Sequence, residues 1–523
     1  MNSAVGQFRY KVRKEETMSQ NYEQLSFIET SEESTSKEYL VEDFSADGFC
    51  DDSERKKLEK TYADVLEVTD RFNRQSVSYQ LSKHDMLHSW LKYKEGFSAE
   101  LVNLLLDEFG IKAGDTILDP FFGSGTTGLV CHMRDINSIG YDIMPVSTVA
   151  VQAKTAVMRY DTGELKRMAA DIERLRVPKD YTRQTPAITI TKDAYPMENA
   201  RFLQYLSEWR DQAVYSDEAK NLLTLCIINS LEPCSYTIKS GQYLGWDSRS
   251  PKVASANIRR KETGKKPLAR KMVREIIGDS KETILQELEH VISEIDVIQK
   301  QAGPEKKARV YYQQESALKK LPVMEENSID GVITSPPYCN RYDYTRTYAL
   351  ELVYLGLNEE TIKEMRQNQL SCTVESRPKT EQMEAYYQKI GAGERFREIS
   401  SVIRDNAVLK EILTALNARK EHGDLNNNGV IRMVEGYFTE LAFLYAELYR
   451  VCKKGAQVAF VNDNVRYGGE VIPVDFLSCL FAEQFGFHVK KVYCLQQKKG
   501  NSSQQMAKFG KVPLRKSITI WEK

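Results

Sequence analysis

Residues Ile329-Asp330-Gly331-Val332-Ile333-Thr334 form a short β-branched apolar run that stops abruptly at Ser335-Pro336-Pro337-Tyr338. A run of this length closed by prolines reads as a buried strand ending at its carboxyl edge, where open α/β sheets place their ligands. The prolines fix φ and withdraw their N–H donors, so the backbone becomes a rigid, carbonyl-rich elbow. Such an elbow directs acceptors toward an amine. Tyr338 adds an aromatic face suited to stacking on a planar ring. The same four residues as a plain buried turn are the alternative.

A second run gives the elbow a partner. Thr116-Ile117-Leu118 opens into Asp119-Pro120-Phe121-Phe122-Gly123-Ser124-Gly125-Thr126-Thr127. Strand, glycine turn and helix form the layout of a nucleotide-type site: the glycines let a ligand approach the backbone and the helix start offers free N–H groups. An acidic residue should end the next strand, and Ser138-Ile139-Gly140-Tyr141-Asp142 supplies Asp142 as an acceptor for ribose hydroxyls. No lysine follows Gly125 as a phosphate-binding P-loop requires. A ligand-free strand-to-helix turn stays open at this point.

With these two motifs together, the chain resembles the DNA amino-methyltransferases, which transfer a methyl group from S-adenosyl-L-methionine to cytosine N4 or adenine N6. Phe122-Gly123-Ser124-Gly125 is similar to their cofactor loop, and Ser335-Pro336-Pro337-Tyr338 to their catalytic tetrapeptide in its cytosine-N4 spelling. The segment Trp90 to Ser98 resembles the one that closes over the methionine end of the cofactor, and the likeness continues from Gly455 to Trp521. The resemblance implies an α/β, Rossmann-like seven-stranded methyltransferase sheet with its last strand antiparallel, carrying largely helical inserts. It implies cofactor contacts from Tyr93, Phe97, Ser98, Asp119, Pro120, Phe121, Phe122, Gly123, Ser124, Gly125, Thr126 and Asp142, and catalytic roles for Ser335, Pro336, Pro337 and Tyr338. An acidic residue after the third strand should touch the adenine. Glu315, following Arg309 to Gln313, is the nearest candidate, and Asp193 after Ile188-Thr189-Ile190 competes with it. The cofactor loop precedes the tetrapeptide, the reverse of most relatives with this spelling.

Composition narrows the remaining classes. A chain of 523 residues, 41% hydrophobic and 28% charged, is ordinary for soluble globular proteins and long enough for about three domains. The nine cysteines include no close CxxC pair and the six histidines no HExxH, so no metal is expected. No apolar run spans a bilayer and no leader is evident, so the expected compartment is the cytoplasm, without membrane contact.

Along the chain, residues 1–76 read as a polar N-terminal arm, with the acidic, serine-rich run Thr30 to Ser36 and apolar anchors such as Phe27 and Phe44. The catalytic domain is expected over 77–159, 308–359 and 431–523. Residues 160–307 form a helical, basic insert, the candidate target-recognition domain, and 360–430 a second helical insert. Within the first insert, Tyr243 and Trp246 precede a basic run that includes Arg259, Arg260, Lys265 and Lys266, with Arg270, Lys271 and Arg274 beyond. The whole chain has a net charge of −1, so this basicity is concentrated. Basic side chains beside aromatics suit a phosphate backbone and an unstacked base. A solvated loop and ordinary core aromatics are the alternatives. The basic loop Lys498 to Arg515 is expected at the active edge.

The expected activity is site-specific methylation of an exocyclic amine in double-stranded DNA, at cytosine N4, on a flipped-out base. Adenine N6, an RNA substrate or a non-catalytic subunit of the same fold are the alternatives. The implied partners are double-stranded DNA and a cognate restriction endonuclease or another defence-system subunit.

Overall fold

A computed structural model describes residues 38–93, 96–240, 243–268, 275–303, 306–496, 506–512 and 514–523. Its strands, in chain order, are β1 (Leu66–Thr69), β2 (Thr116–Asp119), β3 (Asn137–Asp142), β4 (Thr237–Ser240), β5 (Tyr243–Trp246), β6 (Val310–Gln314), β7 (Ile329–Thr334), β8 (Cys452–Asp463), β9 (Val465–Tyr467), β10 (Glu470–Ile472), β11 (His488–Leu495) and β12 (Lys516–Glu522). Eight of them build one sheet in the order β1-β11-β12-β8-β7-β2-β3-β6. Only β12 runs against its neighbours, β11 and β8. This is the expected α/β arrangement with its antiparallel closing strand, plus an eighth strand, β1, parallel to β11 at the edge.

The centre of the sheet explains where a site forms. β2 and β7 lie side by side and parallel, with Leu118 opposite Val332, so the glycine loop and the tetrapeptide leave the same sheet edge. Both strands are apolar because helices cover both faces, and Ile117, Leu118, Val332 and Ile333 are fully buried. β6 pairs with β3 from Ser138↔Val310 to Asp142↔Gln314 and is therefore the third strand. Ile188 to Ile190 joins no sheet.

The arm expected over 1–76 ends earlier than its polarity suggested. Residues 1–37, with Phe27 and the Thr30 to Ser36 run, lie outside the described residues, but from Tyr39 onward the chain packs on the sheet. The helix Ser53–Thr61 buries Leu58 together with Arg55 and Glu59. Arg55 pairs with Glu411 at 2.7 Å and Glu470 at 3.0 Å, and Glu59 pairs with Arg515, which also holds Asp475 at 2.8 Å. Buried charges need partners, and these lie hundreds of positions away, so the inward face reads as polar in the sequence.

The first insert supplies the helices Thr162–Arg174, Met197–Gln212, Asp217–Leu231 and Ser280–Gln301. Their apolar faces join one core with the helix Pro145–Thr155 and with residues 342–353. Arg259 and Arg260 stand on a further helix, Pro251–Glu262, which buries none of its residues, and Lys265 and Lys266 follow its end. In the second insert, Glu359–Asn368 is followed by Thr380–Lys389, Gly393–Asp405 and Ala407–Glu421, and the last three pack toward the long helix Gly429–Val451. No helix among the described residues is long and apolar enough to cross a membrane.

Glu59→Ala should cost about 3 kcal/mol of stability, because it leaves the Arg515 guanidinium buried with one carboxylate fewer. Denaturant unfolding checks this, and a loss no larger than that of an exposed pair means that Glu59 and Arg515 are not coupled.

Candidate active site

The glycine loop is shaped by what lies under it. The Phe122 ring fills the space above Gly128 and Gly140, where an added Cβ would fall 2.3 and 2.2 Å from it, so both positions exclude a side chain. Gly123 and Gly125 take left-handed φ values of +50° and +82°, and a Cβ on Gly123 would stand 3.0 Å from the Tyr93 ring. Tyr93 stacks on Tyr348 at 5.3 Å. From below, the buried Lys154 amine donates to the Ser124 carbonyl at 3.1 Å. Burial lowers the pKa of that amine to about 7.

Asp119 joins this loop to the tetrapeptide. Its carboxylate accepts from the Thr334 hydroxyl at 2.7 Å, the Thr127 hydroxyl at 2.8 Å and the Phe121 N–H at 3.1 Å. Burial raises its pKa to about 6 against these donors. Asp142, at the end of β3, accepts from the Gly123 N–H at 2.9 Å and the Met144 N–H at 2.8 Å, and burial likewise raises its pKa to about 6.

These residues line one cleft at the carboxyl edge of the sheet. Tyr93, Phe97, Asp119 to Ser124, Thr126, Asp142 and Glu315 face it, together with Ser335 and Pro337. Glu315 accepts from the Ser316 N–H at 3.0 Å; Asp193 is absent from the lining. Ser98 lies outside the lining as well. Its hydroxyl accepts from the Leu101 N–H at 3.2 Å as the cap of the helix Ala99–Glu108. Gly125 shapes the turn without facing the cleft. Lys94 and Glu95 lie outside the described residues. Sequence reasoning missed Ile143 and Met144, and also Asn368, Gln369 and Leu370, which the second insert brings to the cleft. No local signal marks the latter three.

A second cleft adjoins the first, and Ser335 and Tyr344 border both. Its wall also includes Pro336, Tyr338, Arg74, Ser78, Asn340, Asp463 and Lys516. The Ser335 hydroxyl donates to the Tyr338 hydroxyl at 3.2 Å. Asp463 and Lys516, also missed, meet only through the β8–β12 register.

Trp246, Arg259, Arg260, Lys265 and Lys266 line neither cleft. Trp246 is half-buried against the insert's core, with the Lys252 amine 4.2 Å from its ring centroid. Tyr243 belongs to β5, and its side chain lies outside the described part. Arg259, Lys265 and Lys266 are exposed and Arg260 is partly so. Arg270, Lys271, Arg274 and Lys498 to Gln505 lie outside the described residues. The β4–β5 hairpin is tied to the catalytic half by a buried Lys239–Glu351 pair at 2.6 Å, with Lys239 also 4.2 Å from the Tyr348 ring centroid.

The donor set of the first cleft fits a nucleoside: a carboxylate ending the second strand, N–H groups from a glycine loop, aromatic and apolar walls, and an opening toward Ser335. Among the described residues no group of His, Cys, Asp or Glu is arranged to hold a metal.

Comparison with known proteins agrees with this geometry. The DNA methylase family, comprising the N6 and N4 methyltransferases, matches residues 7–150. The chain is 48% identical over 491 residues to the type II methyltransferase M.BsoBI of Geobacillus stearothermophilus, covering 94% of this chain and 96% of that one. It is 34% identical over 498 residues to the type II methyltransferase M.AvaI of Anabaena variabilis, covering 92% and 96%. A shorter likeness, 36% over 102 residues, links it to the type II methyltransferase M.MjaII of Methanocaldococcus jannaschii, covering 20% and 18%.

The raised pKa of Asp142 sets a pH dependence. In the free protein a raised carboxyl pKa contributes stability below the unfolded value near 3.8, and that contribution is lost as pH rises through about 6. If Asp142 accepts ribose hydroxyls, as the resemblance implies, binding runs the opposite way, because only the ionised carboxylate offers both oxygens to them. Calorimetry with S-adenosylhomocysteine should show affinity falling as pH drops from 7 to 5. Asp142→Asn should bind weakly with a flatter profile; Asp119 titrates in the same range, so the difference between the two profiles isolates Asp142. A parent-like profile in the variant would remove Asp142 from the site.

Proposed function

The chain belongs to the N4/N6 amino-methyltransferase family of type II DNA methyltransferases, and from that premise we propose that it methylates cytosine N4 in double-stranded DNA. The observation that carries the base assignment is the spelling Ser335-Pro336-Pro337-Tyr338 at the end of β7, on the wall between two clefts. S-adenosyl-L-methionine, held by Tyr93, Phe97, the Phe121 to Thr126 loop, Asp142 and Glu315, supplies an electrophilic sulfonium methyl. We assign the second cleft to the target base.

The chemistry asks little acid–base strength of the protein and much geometry. An exocyclic amine is a weak nucleophile because its lone pair is conjugated into the ring. Acceptors on its protons favour the sp³ nitrogen that attack requires, and the Ser335 hydroxyl and the Pro336 carbonyl are the acceptors in this reading. Holding the nitrogen about 3 Å from the methyl, in line with the leaving sulfur, supplies much of the rate. As the N–CH₃ bond forms, the S–CH₃ bond breaks, sulfur keeps the electron pair and the amine releases one proton. The base must first leave the duplex, at a cost of a few kcal/mol, and stacking on Tyr338 offsets part of it.

Target reading falls, in this proposal, to the first insert, with the basic helix and Trp246 facing the duplex and the second insert assisting. The family's type II membership makes a restriction endonuclease of matching site the natural counterpart in the cytoplasm.

The first test is the product. Digestion and mass spectrometry of methylated DNA should give N4-methylcytosine; N6-methyladenine would keep the mechanism and overturn the base assignment. Ser335→Ala should slow single-turnover methylation at least 10-fold, about 1.4 kcal/mol in the barrier, with cofactor and DNA affinities unchanged.

The insert has its own test. Replacing Arg259, Arg260, Lys265 and Lys266 by glutamine should weaken DNA binding and reduce the salt slope by roughly 0.9 for each phosphate that is no longer neutralised. An unaltered slope would make the basic run a solvated face.

A further inference from the structure

The second cleft contains a cation that catalysis as described above does not use. Lys516 opens β12 directly opposite Asp463, the last residue of β8. Its amine lies 3.0 Å from the Asp463 carboxylate, 3.3 Å from the Tyr338 hydroxyl and 4.6 Å from the Tyr338 ring centroid. On its other side the phenol oxygen receives the Ser335 hydroxyl. Tyr338 is therefore gripped at its hydroxyl by one residue of the tetrapeptide and by one residue of the closing strand.

We propose that Lys516 is a positioning residue for methyl transfer: anchored by Asp463, it clamps the Tyr338 phenol and through it orients the Ser335 hydroxyl. The inference rests on the reading of Ser335 as an acceptor for the amine protons.

The geometry gives each member one task. An ammonium has three donors and no acceptor, so the direction of the Lys516–Tyr338 bond is fixed. With Ser335 donating into the same oxygen, both serine lone pairs remain available to the amine. The ring cannot swing away without breaking two hydrogen bonds and separating from the cation. Burial works against the Lys516 charge, but Asp463 and the Tyr338 hydroxyl outweigh it and hold the group above the usual lysine range. Burial also raises the Tyr338 pKa, which keeps its hydroxyl protonated at neutral pH. Both anchors sit on paired strands, and the preceding Arg515 is fixed by Glu59 and Asp475, so Lys516 is placed by the sheet itself.

A double-mutant cycle tests this on the full chain, with unmethylated DNA from a host lacking the enzyme. Lys516→Met should lower kcat about 10-fold, with KM for DNA and affinity for S-adenosylhomocysteine near those of the parent, and Lys516→Arg should recover part of the loss. In a Tyr338→Phe background, Lys516→Met should have little further effect, since the phenol it acts through is gone. A full additional loss there would show that Lys516 contacts DNA or base directly and would overturn the proposal. Parent-like kcat in Lys516→Met alongside a slow Ser335→Ala would overturn the proposal alone; a parent-like Ser335→Ala would remove the acceptor reading and the proposal with it. Should Lys516→Met fail to fold, Asp463→Asn, which keeps the amine and removes its anchor, should lower kcat in the Tyr338 background and not in the Tyr338→Phe background; equal losses in both would overturn the clamp.

Discussion

One carboxylate sets the spacing on which the rest of the site depends. Asp119 is the last residue of β2 and is fully buried, yet its oxygens are occupied by protein: Thr334 from β7, Thr127 from the following helix and its own Phe121 N–H. Thr334 is the residue immediately before Ser335. The hydrogen bond therefore fixes the tetrapeptide relative to the glycine loop across two neighbouring strands. A buried carboxylate is costly without donors and rigid with them. Although Asp119 borders the cleft, this bonding makes it a positioning group before it is a ligand.

A second set of buried charges fastens the part of the sheet around β12. Arg515 gathers Glu59 from the helix Ser53–Thr61 and Asp475 from the helix Val474–Gln484, and Arg55 and Arg419 converge on Glu470. These pairs bring the segment before residue 77 into the catalytic body, and Leu66–Thr69 completes the edge beside β11. The insert is fastened by the same means. Lys239 of β4 reaches Glu351 and the Tyr348 ring, and Tyr348 stacks on Tyr93 at the mouth of the first cleft. A load on the hairpin is thus two side chains away from the cofactor loop.

What could be read in the sequence was what local chemistry marks. Proline and glycine punctuate β7 and β2, Asp142 ends β3, and Ser98 caps its helix, so the sheet's centre and much of the first cleft follow from short stretches. Long-range pairing erased the rest. Leu66-Glu67-Val68-Thr69 is too short and too polar to stand out, and it becomes a strand only because β11, more than 400 positions later, accepts it. Glu315 and Asp193 each follow a short apolar run, and only the register of β6 on β3 separates them. Ser98 shows the converse: its cap role was legible, and the structure keeps it there, outside the cleft lining. Asn368 to Leu370 and Lys516 carry no local mark at all.

The order of the two motifs in the chain loses its weight once the sheet is known. β2 and β7 are parallel neighbours, so the loop and the tetrapeptide meet at one edge whichever is translated first, and connections of any length on the helical faces leave that pairing intact. Motif order therefore does not separate the two readings of the target base. The wall of the second cleft is drawn from distant parts: Ser335, Pro336 and Tyr338 just after β7, Asp463 and Lys516 from the ends of β8 and β12, and Arg74 and Ser78 from the stretch that follows β1. A pocket assembled this way changes shape through substitutions far from the tetrapeptide.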